Sequence, residues 1–225
     1  MARKRTKVRH PPKGAGPAQV LPFLFVGPQN TTEPAVAAAA GITHIISLGC
    51  RPKHNSDDKT VGGDGGGASG RRHINIAYHH IGIRDKSEAD LGTAALLVAD
   101  IISNARRSSP VQQDGEDKAG EGEEKEHGAK VLVHCMGGVS RSPAVVAYYL
   151  MREESMSLRE ALGAIMKVRP AMRPNDGFLR QLKELELGLR GEESKGSLDG
   201  VESLPLETKK RQDLLLGIDA RGEMT

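Results

Sequence analysis

The chain has 225 residues, with 32 lysines and arginines against 29 acids, a net charge of +3. No apolar run approaches the roughly 18 residues a membrane span needs, and two cysteines cannot build a disulfide scaffold, which points to a reducing, intracellular setting. Hydrophobic residues at 37% and aromatics at 3% sit below the globular average, so part of the chain lies outside any core.

In chain order, residues 1–13 carry Arg3, Lys4, Arg5, Lys7, Arg9 and Lys13 and no acid. The stretch 1–20 reads as a disordered basic arm, either a solvated tail or a segment for nuclear targeting or an anionic partner. Leu21–Gly27 reads as a short strand and Thr32–Ala40 as an Ala-rich helix with Pro34 in its first turn. Ile42–Leu48 is an Ile-rich strand ended by Gly49. Residues 57–72 contain a glycine run without periodicity; no strand leads into it and no helix follows, so it reads as a flexible insertion and not a phosphate-binding loop. Ile74–Ile83 is a further strand, and Leu91–Ala105 a helix with apolar residues at 91, 95, 98 and 102. Residues 111–128 hold seven acids and two lysines, a second flexible insertion. Lys130–His134 is a short apolar strand, Pro143–Arg152 a helix apolar nearly all round and therefore buried, and Leu158–Val168 and Phe178–Leu189 are amphipathic helices. Residues 191–225 read as a polar tail in which Leu214-Leu-Leu216 is an isolated patch. Strands alternating with helices predict an α/β domain over 21–190, with a central, mostly parallel twisted sheet flanked by helices.

The chemistry concentrates in one place. The strand ending at His134 runs into Cys135-Met-Gly-Gly-Val-Ser-Arg141 and then Ser142-Pro143 and the buried helix. Gly137 and Gly138 let the backbone curl so that successive N–H groups face inward at the positive end of a helix, an anion nest. The same field favours a thiolate at Cys135. The planar fork of Arg141 suits two oxygens of a phosphoryl group, and Ser142 and Pro143 suit a helix cap and first turn. A thiolate, a ring of amides and a guanidinium specify attack on an oxyanion ester, with phosphate the natural candidate.

His134-Cys135, five residues, then Arg141-Ser142 is similar to the signature of cysteine-dependent protein phosphatases. The longer string Val131–Ser142 resembles the dual-specificity phosphatase family, in particular its small, atypical members. Ile42–Gly49, Ala147–Met151 and Arg169-Pro-Ala-Met-Arg-Pro-Asn-Asp-Gly-Phe-Leu-Arg-Gln-Leu182 resemble that family's second strand, post-signature helix and closing motif. The resemblance covers about Leu21–Leu189 and implies a protein-tyrosine-phosphatase-like layered domain.

It also implies roles. Cys135 is the nucleophile. The amides of Met136, Gly137, Gly138, Val139, Ser140 and Arg141, with the Arg141 side chain, bind phosphate. Asp85 matches the family's general acid, later general base; Asp90, which reads as a helix N-cap, and Glu88 are the alternatives. Ser142 assists thiolate release, His134 orients the loop through hydrogen bonds or transfers a proton, and Asn175 buttresses the site or caps a turn. Cys50, behind a strand, is a structural thiol or a trap for an oxidised nucleophile. No metal or cofactor is implied.

The expected activity is hydrolysis of phosphotyrosine and phosphoserine/phosphothreonine on proteins through a phosphocysteine. A phosphoprotein-binding module, or a phosphatase of a non-protein substrate such as a phosphoinositide, stays open. Neither nucleic-acid binding nor a membrane span is expected, the chain is expected to be a monomer, and its setting cytoplasmic or nuclear.

Overall fold

The computed structural model describes residues 16–50, 76–108, 128–191 and 197–217. Five short strands pair in the order β1-β2-β5-β3-β4. They are β1 (Ala18–Leu21), β2 (Leu24–Pro28), β3 (His44–Leu48), β4 (Ala77–Ile81) and β5 (Val131–Cys135). β2, β5, β3 and β4 run parallel, and β1 alone is antiparallel, folded back on β2 through Pro22 and Phe23. The expected α/β sheet is therefore present. The single strand expected over 21–27 is instead a hairpin, and the basic arm ends earlier than residue 20, because 18–21 gain backbone partners on β2.

Side chains alternate across a strand, and here they separate two cores. Leu24, Val26, Ile46, Leu48, Val131 and Val133 face the larger helical layer, while Phe25, Ile45 and Leu132 face Ala37 and Ile42. The larger layer holds α2 (Leu91–Ser108), α3 (Arg141–Glu153), α4 (Leu158–Val168) and α5 (Asp176–Arg190). α3 is buried from Ser142 to Met151, as its all-round apolar sequence requires. The smaller core is closed by α1 (Pro34–Ala39), which starts two residues later than the helix expected over Thr32–Ala40, because Thr32 ends a 3-10 turn over Gln29–Thr32. Pro34 fits the first helical turn but restricts Glu33 to extended backbone, which divides the segment.

Residues 197–217 correct the expected tail. Leu198, Leu204 and Leu215 are buried in the main core, and α6 (Thr208–Leu216) packs on α4. Half-buried cations of α4, α5 and the turn between them hold the backbone of this stretch: Arg159 reaches Ser197 O and Leu214 O, Lys183 reaches Val201 O, and Arg173 reaches Leu204 O. Such pairing leaves no trace in local composition, which is why the stretch reads as a tail. The Gly-rich and acidic insertions lie outside the described residues, apart from Gly128.

The four parallel strands end together at one edge of the sheet. Ligands of open parallel sheets bind at the carboxyl ends of the strands, and every residue of the expected site lies at that edge.

Candidate active site

Cys135 is the last residue of the central strand β5, and Arg141 opens α3. Between them the loop turns its carbonyls outward. Met136 O accepts from Gln29 N at 3.2 Å and Val139 O from Arg173 N at 2.7 Å. Arg169 takes the two in the middle, donating from Nε to Gly138 O and from Nη2 to Gly137 O at 2.7 Å. In a trans peptide the C=O of one residue opposes the N–H of the next. Four carbonyls bound outward therefore turn the amides of Gly137, Gly138, Val139 and Ser140 inward, the nest that the glycines suggested. Gly138 has φ +59°, and a Cβ there would overlap the Gly27 backbone and the Arg169 guanidinium.

Arg141 crosses the strand ends. Its Nη1 donates to Leu48 O at 3.0 Å and to Ile83 O at 3.4 Å. Gly49, at φ +61°, clears the way, since a Cβ would strike both Ile83 O and this guanidinium. The buried Nε makes no hydrogen bond among the described residues and lies 3.9 Å from Asp85 Oδ2. The Nε–Nη2 edge of the fork is therefore free to grip two oxyanion atoms.

Asp85 sits on the loop after β4 with its side chain 40% exposed, open to a substrate. Its Oδ1 accepts from Ser140 Oγ at 2.6 Å and from Asn175 Nδ2 at 2.9 Å. α5 pins this loop. Gly177 packs against the Ser87 backbone, and Gln181 bonds both Ala89 O and Leu91 N. Asn175 also caps α5, its Oδ1 accepting from Phe178 N at 2.9 Å. Asp90 caps α2 through Thr93, whose hydrogen bonds hold its carboxyl below the usual range, and the exposed Glu88 faces Lys86.

Ser142 departs from the capping expectation. The N-cap position falls on Ser140, and the Ser142 hydroxyl instead donates to Cys135 Sγ at 3.3 Å. The helix begins at Arg141, two residues before Pro143, with Ala144 N donating to Ser140 O at 3.0 Å, so position 142 lies in its first turn and its hydroxyl turns back to Cys135. His134 is fully buried. Its Nε2 meets Ser47 Oγ at 2.6 Å and its Nδ1 lies 3.9 Å from Cys50 Sγ. Burial pushes His134 down to about 4, against the smaller opposing effect of the Cys135 backbone, so the ring is neutral at physiological pH. Burial, followed by the neighbouring Cys135, raises the Cys50 thiol.

The site thus gathers Cys135, residues 136–141, Asp85, Ser142, His134 and Asn175. Sequence reasoning missed Arg169, which bonds two loop carbonyls, and the Ser140 hydroxyl, which holds the acid. The signal for Arg169 was its place at the head of the closing motif. No trio of metal-ligating side chains occurs among the described residues.

A family model for the dual specificity phosphatase catalytic domain matches residues 122–187. The chain is 46% identical over 157 residues to dual specificity protein phosphatase 1 of Arabidopsis thaliana, over 69% of this chain and 61% of that protein. It is 29% identical over 171 residues to dual specificity protein phosphatase 5 of Rattus norvegicus, over 76% and 36%. It therefore spans less than two thirds of the length of these curated relatives. The crystal structure of human DUSP28 shares the fold, with a TM-score of 0.58 at 24% identity over 80% of this chain and 99% of that one. With the nucleophile loop, the family model and the Arabidopsis relative in agreement, the chain belongs to the dual specificity phosphatase family.

Proposed function

We propose that this chain is a protein phosphatase that hydrolyses phosphotyrosine and phosphoserine/phosphothreonine through a phosphocysteine. One observation carries the reading: the loop 136–139 bonds all four carbonyls outward and turns its amides toward the space above Cys135, where the Arg141 edge also points. That space suits the equatorial oxygens of a phosphoryl group.

In the first step Cys135 Sγ attacks phosphorus, the bond to the leaving oxygen breaks, and Asp85 gives that oxygen its proton. In the second, Asp85 takes a proton from water, the water oxygen bonds phosphorus, and the P–S bond breaks. The Ser142 hydroxyl, 3.3 Å from Sγ, stabilises the departing thiolate. His134, neutral and bonded to Ser47, holds the loop and passes no proton.

The breadth of substrate rests on shallowness. The three tyrosines of the chain are Tyr78 on β4 and the buried Tyr148 and Tyr149, so none walls the loop. Met136, 55% exposed, forms an apolar rim. The reading extends to a monomer acting on phosphoproteins in cytoplasm or nucleus, consistent with two free cysteines. The presence of both Cys135 and Arg141 argues against a binding module without turnover.

Hydrolysis of an aryl phosphate and of phosphopeptides, with a chelator present, tests the proposal. Wild type should turn over, Cys135→Ser should be inactive, and Asp85→Asn should fall by about 10² or more. A well-folded wild type without turnover on any of these substrates would sink it.

A further inference from the structure

Three of the four outward carbonyls of the phosphate loop are held by Arg169 and Arg173, and the stretch that carries these two residues is itself held from behind. Arg211 of α6 donates from Nη2 to Pro170 O at 3.0 Å. Its Nη1 reaches Pro205 O, and Leu206 O at 3.1 Å. Arg173, whose N–H bonds Val139 O, sends its Nε to Leu204 O at 2.9 Å. Two ties thus run from residues 204–211 through Pro170 and Arg173 to the loop that faces the substrate.

We propose that residues 197–217 brace the phosphate loop, with Arg211 as a positioning residue for the Arg169 guanidinium and, through it, for the inward amides. The inference rests on the phosphatase reading and adds a stretch that lies beyond the residues 122–187 matched by the family model.

The chemistry of Arg211 argues for this use. It is only 3% exposed, and no carboxylate pairs with it among the described residues. Burying a guanidinium against neutral acceptors alone is costly, so its position demands a return. A planar fork can span Pro170 on one side and Pro205–Leu206 on the other, where an ammonium reaches one of them. Pro170 has no N–H to anchor it, so its carbonyl is the handle by which the chain beside Arg169 is held. A shift there would move the Arg169 donors and rotate the peptides of Gly137 and Gly138, whose amides matter most where negative charge develops.

The test uses the full chain as wild type, Arg211→Ala, Arg211→Lys and Leu215→Ala, each assayed well below its own Tm. Turnover of an aryl phosphate and the vanadate-induced rise in Tm are both measured. Arg211→Ala should lose about tenfold in kcat and in vanadate affinity, with KM changed by less than about twofold. Arg211→Lys should fall between it and wild type. Leu215→Ala thins the packing of α6 without touching the carbonyl ties, so it should lower Tm and keep kcat. Wild-type kcat and vanadate affinity in a folded Arg211→Ala would overturn the brace, as would losses that follow Tm equally in Leu215→Ala. If Arg211→Ala does not fold, Arg211→Lys decides by the same criteria. If wild type fails to turn over, the phosphatase reading fails, and vanadate affinity still judges the brace.

Discussion

Two stretches of this molecule, the loop 135–141 and residues 197–217, are fixed by arginines. In the loop 135–141, Arg169 draws the carbonyls of Gly137 and Gly138 outward, and the donors left over face a potential substrate. In 197–217, Arg159, Arg173 and Arg211 likewise take carbonyls, but these ties stitch the chain onto the core and three buried leucines complete the packing. The same interaction makes a site in one place and a scaffold in the other. What separates them is the group that remains unpaired: inward N–H groups beside a thiol in the first, and packed leucines in the second. Backbone satisfaction alone does not mark function, whereas the polarity of what is left over does.

The largest expected effect breaks the first side of this contrast. Arg141→Lys keeps the charge but loses the Nε–Nη2 edge and the tie from Nη1 to Leu48 O. Turnover of an aryl phosphate should fall by about 10²–10³ while the fold persists, since one preorganised donor set is removed from the transition state. Near-wild-type kcat in Arg141→Lys would mean that charge alone, and not the fork, serves the loop.

Acid should act on the same side through His134. Its folded value of about 4 lies below the ordinary 6.5, so between these two values the unfolded chain binds a proton that the folded chain refuses. Stability should therefore be full above pH 6.5 and decline as pH falls toward 4, by about 3 kcal/mol over the window. Urea midpoints of wild type and His134→Gln measure this contribution. An identical pH slope in the two proteins would remove it from His134.

Glu186 offers the corresponding test on the other side. It is 1% exposed and accepts from Leu158 N at 2.7 Å and from Ser197 N at 2.9 Å, joining α5, the start of α4 and the C-terminal stretch. Glu186→Ala leaves two N–H groups without their acceptor and should cost about 2 kcal/mol. An unchanged urea midpoint would show that the cation ties and the buried leucines hold the stretch without Glu186.

The sequence disclosed these two sides unequally, for physical reasons. Cys135, Arg141 and the paired glycines are local: a strand, a tight curl and a helix start follow one another within a dozen residues, so composition and spacing reveal the nest. Asp85 stood out through its match, after a strand, to the acid position of the family that the sequence resembles, and Asp90 through its place before a helix. Ser140 was legible only as an amide, because its hydroxyl finds Asp85 across 55 residues. The C-terminal stretch was illegible, since its partners Arg159, Arg173 and Glu186 lie in other elements and its own three buried leucines show no helical period. The hairpin β1–β2 was hidden in the same way, as β1 acquires meaning only against β2. Local chemistry shows in sequence, and pairing between distant segments does not.

The smallest effect sharpens the comparison most directly, because one helix end holds both kinds of contact. At the start of α4 the N–H of Glu160 bonds Ser157 Oγ, within the helix's own capping box, and the N–H of Arg159 bonds Ser197 Oγ at 2.9 Å. The two hydroxyls do the same work, one from the adjoining residue and one from the stretch that reads as a tail. Removing a cap of this kind costs about 1 kcal/mol. If residues 197–217 belong to the fold as firmly as the helix cap does, Ser197→Ala and Ser157→Ala should lower the urea midpoint by similar amounts. A silent Ser197→Ala beside a destabilising Ser157→Ala would mean that water replaces the hydroxyl at no cost. Residue 197 would then be held by its backbone alone, through Glu186 and the Arg159 side chain.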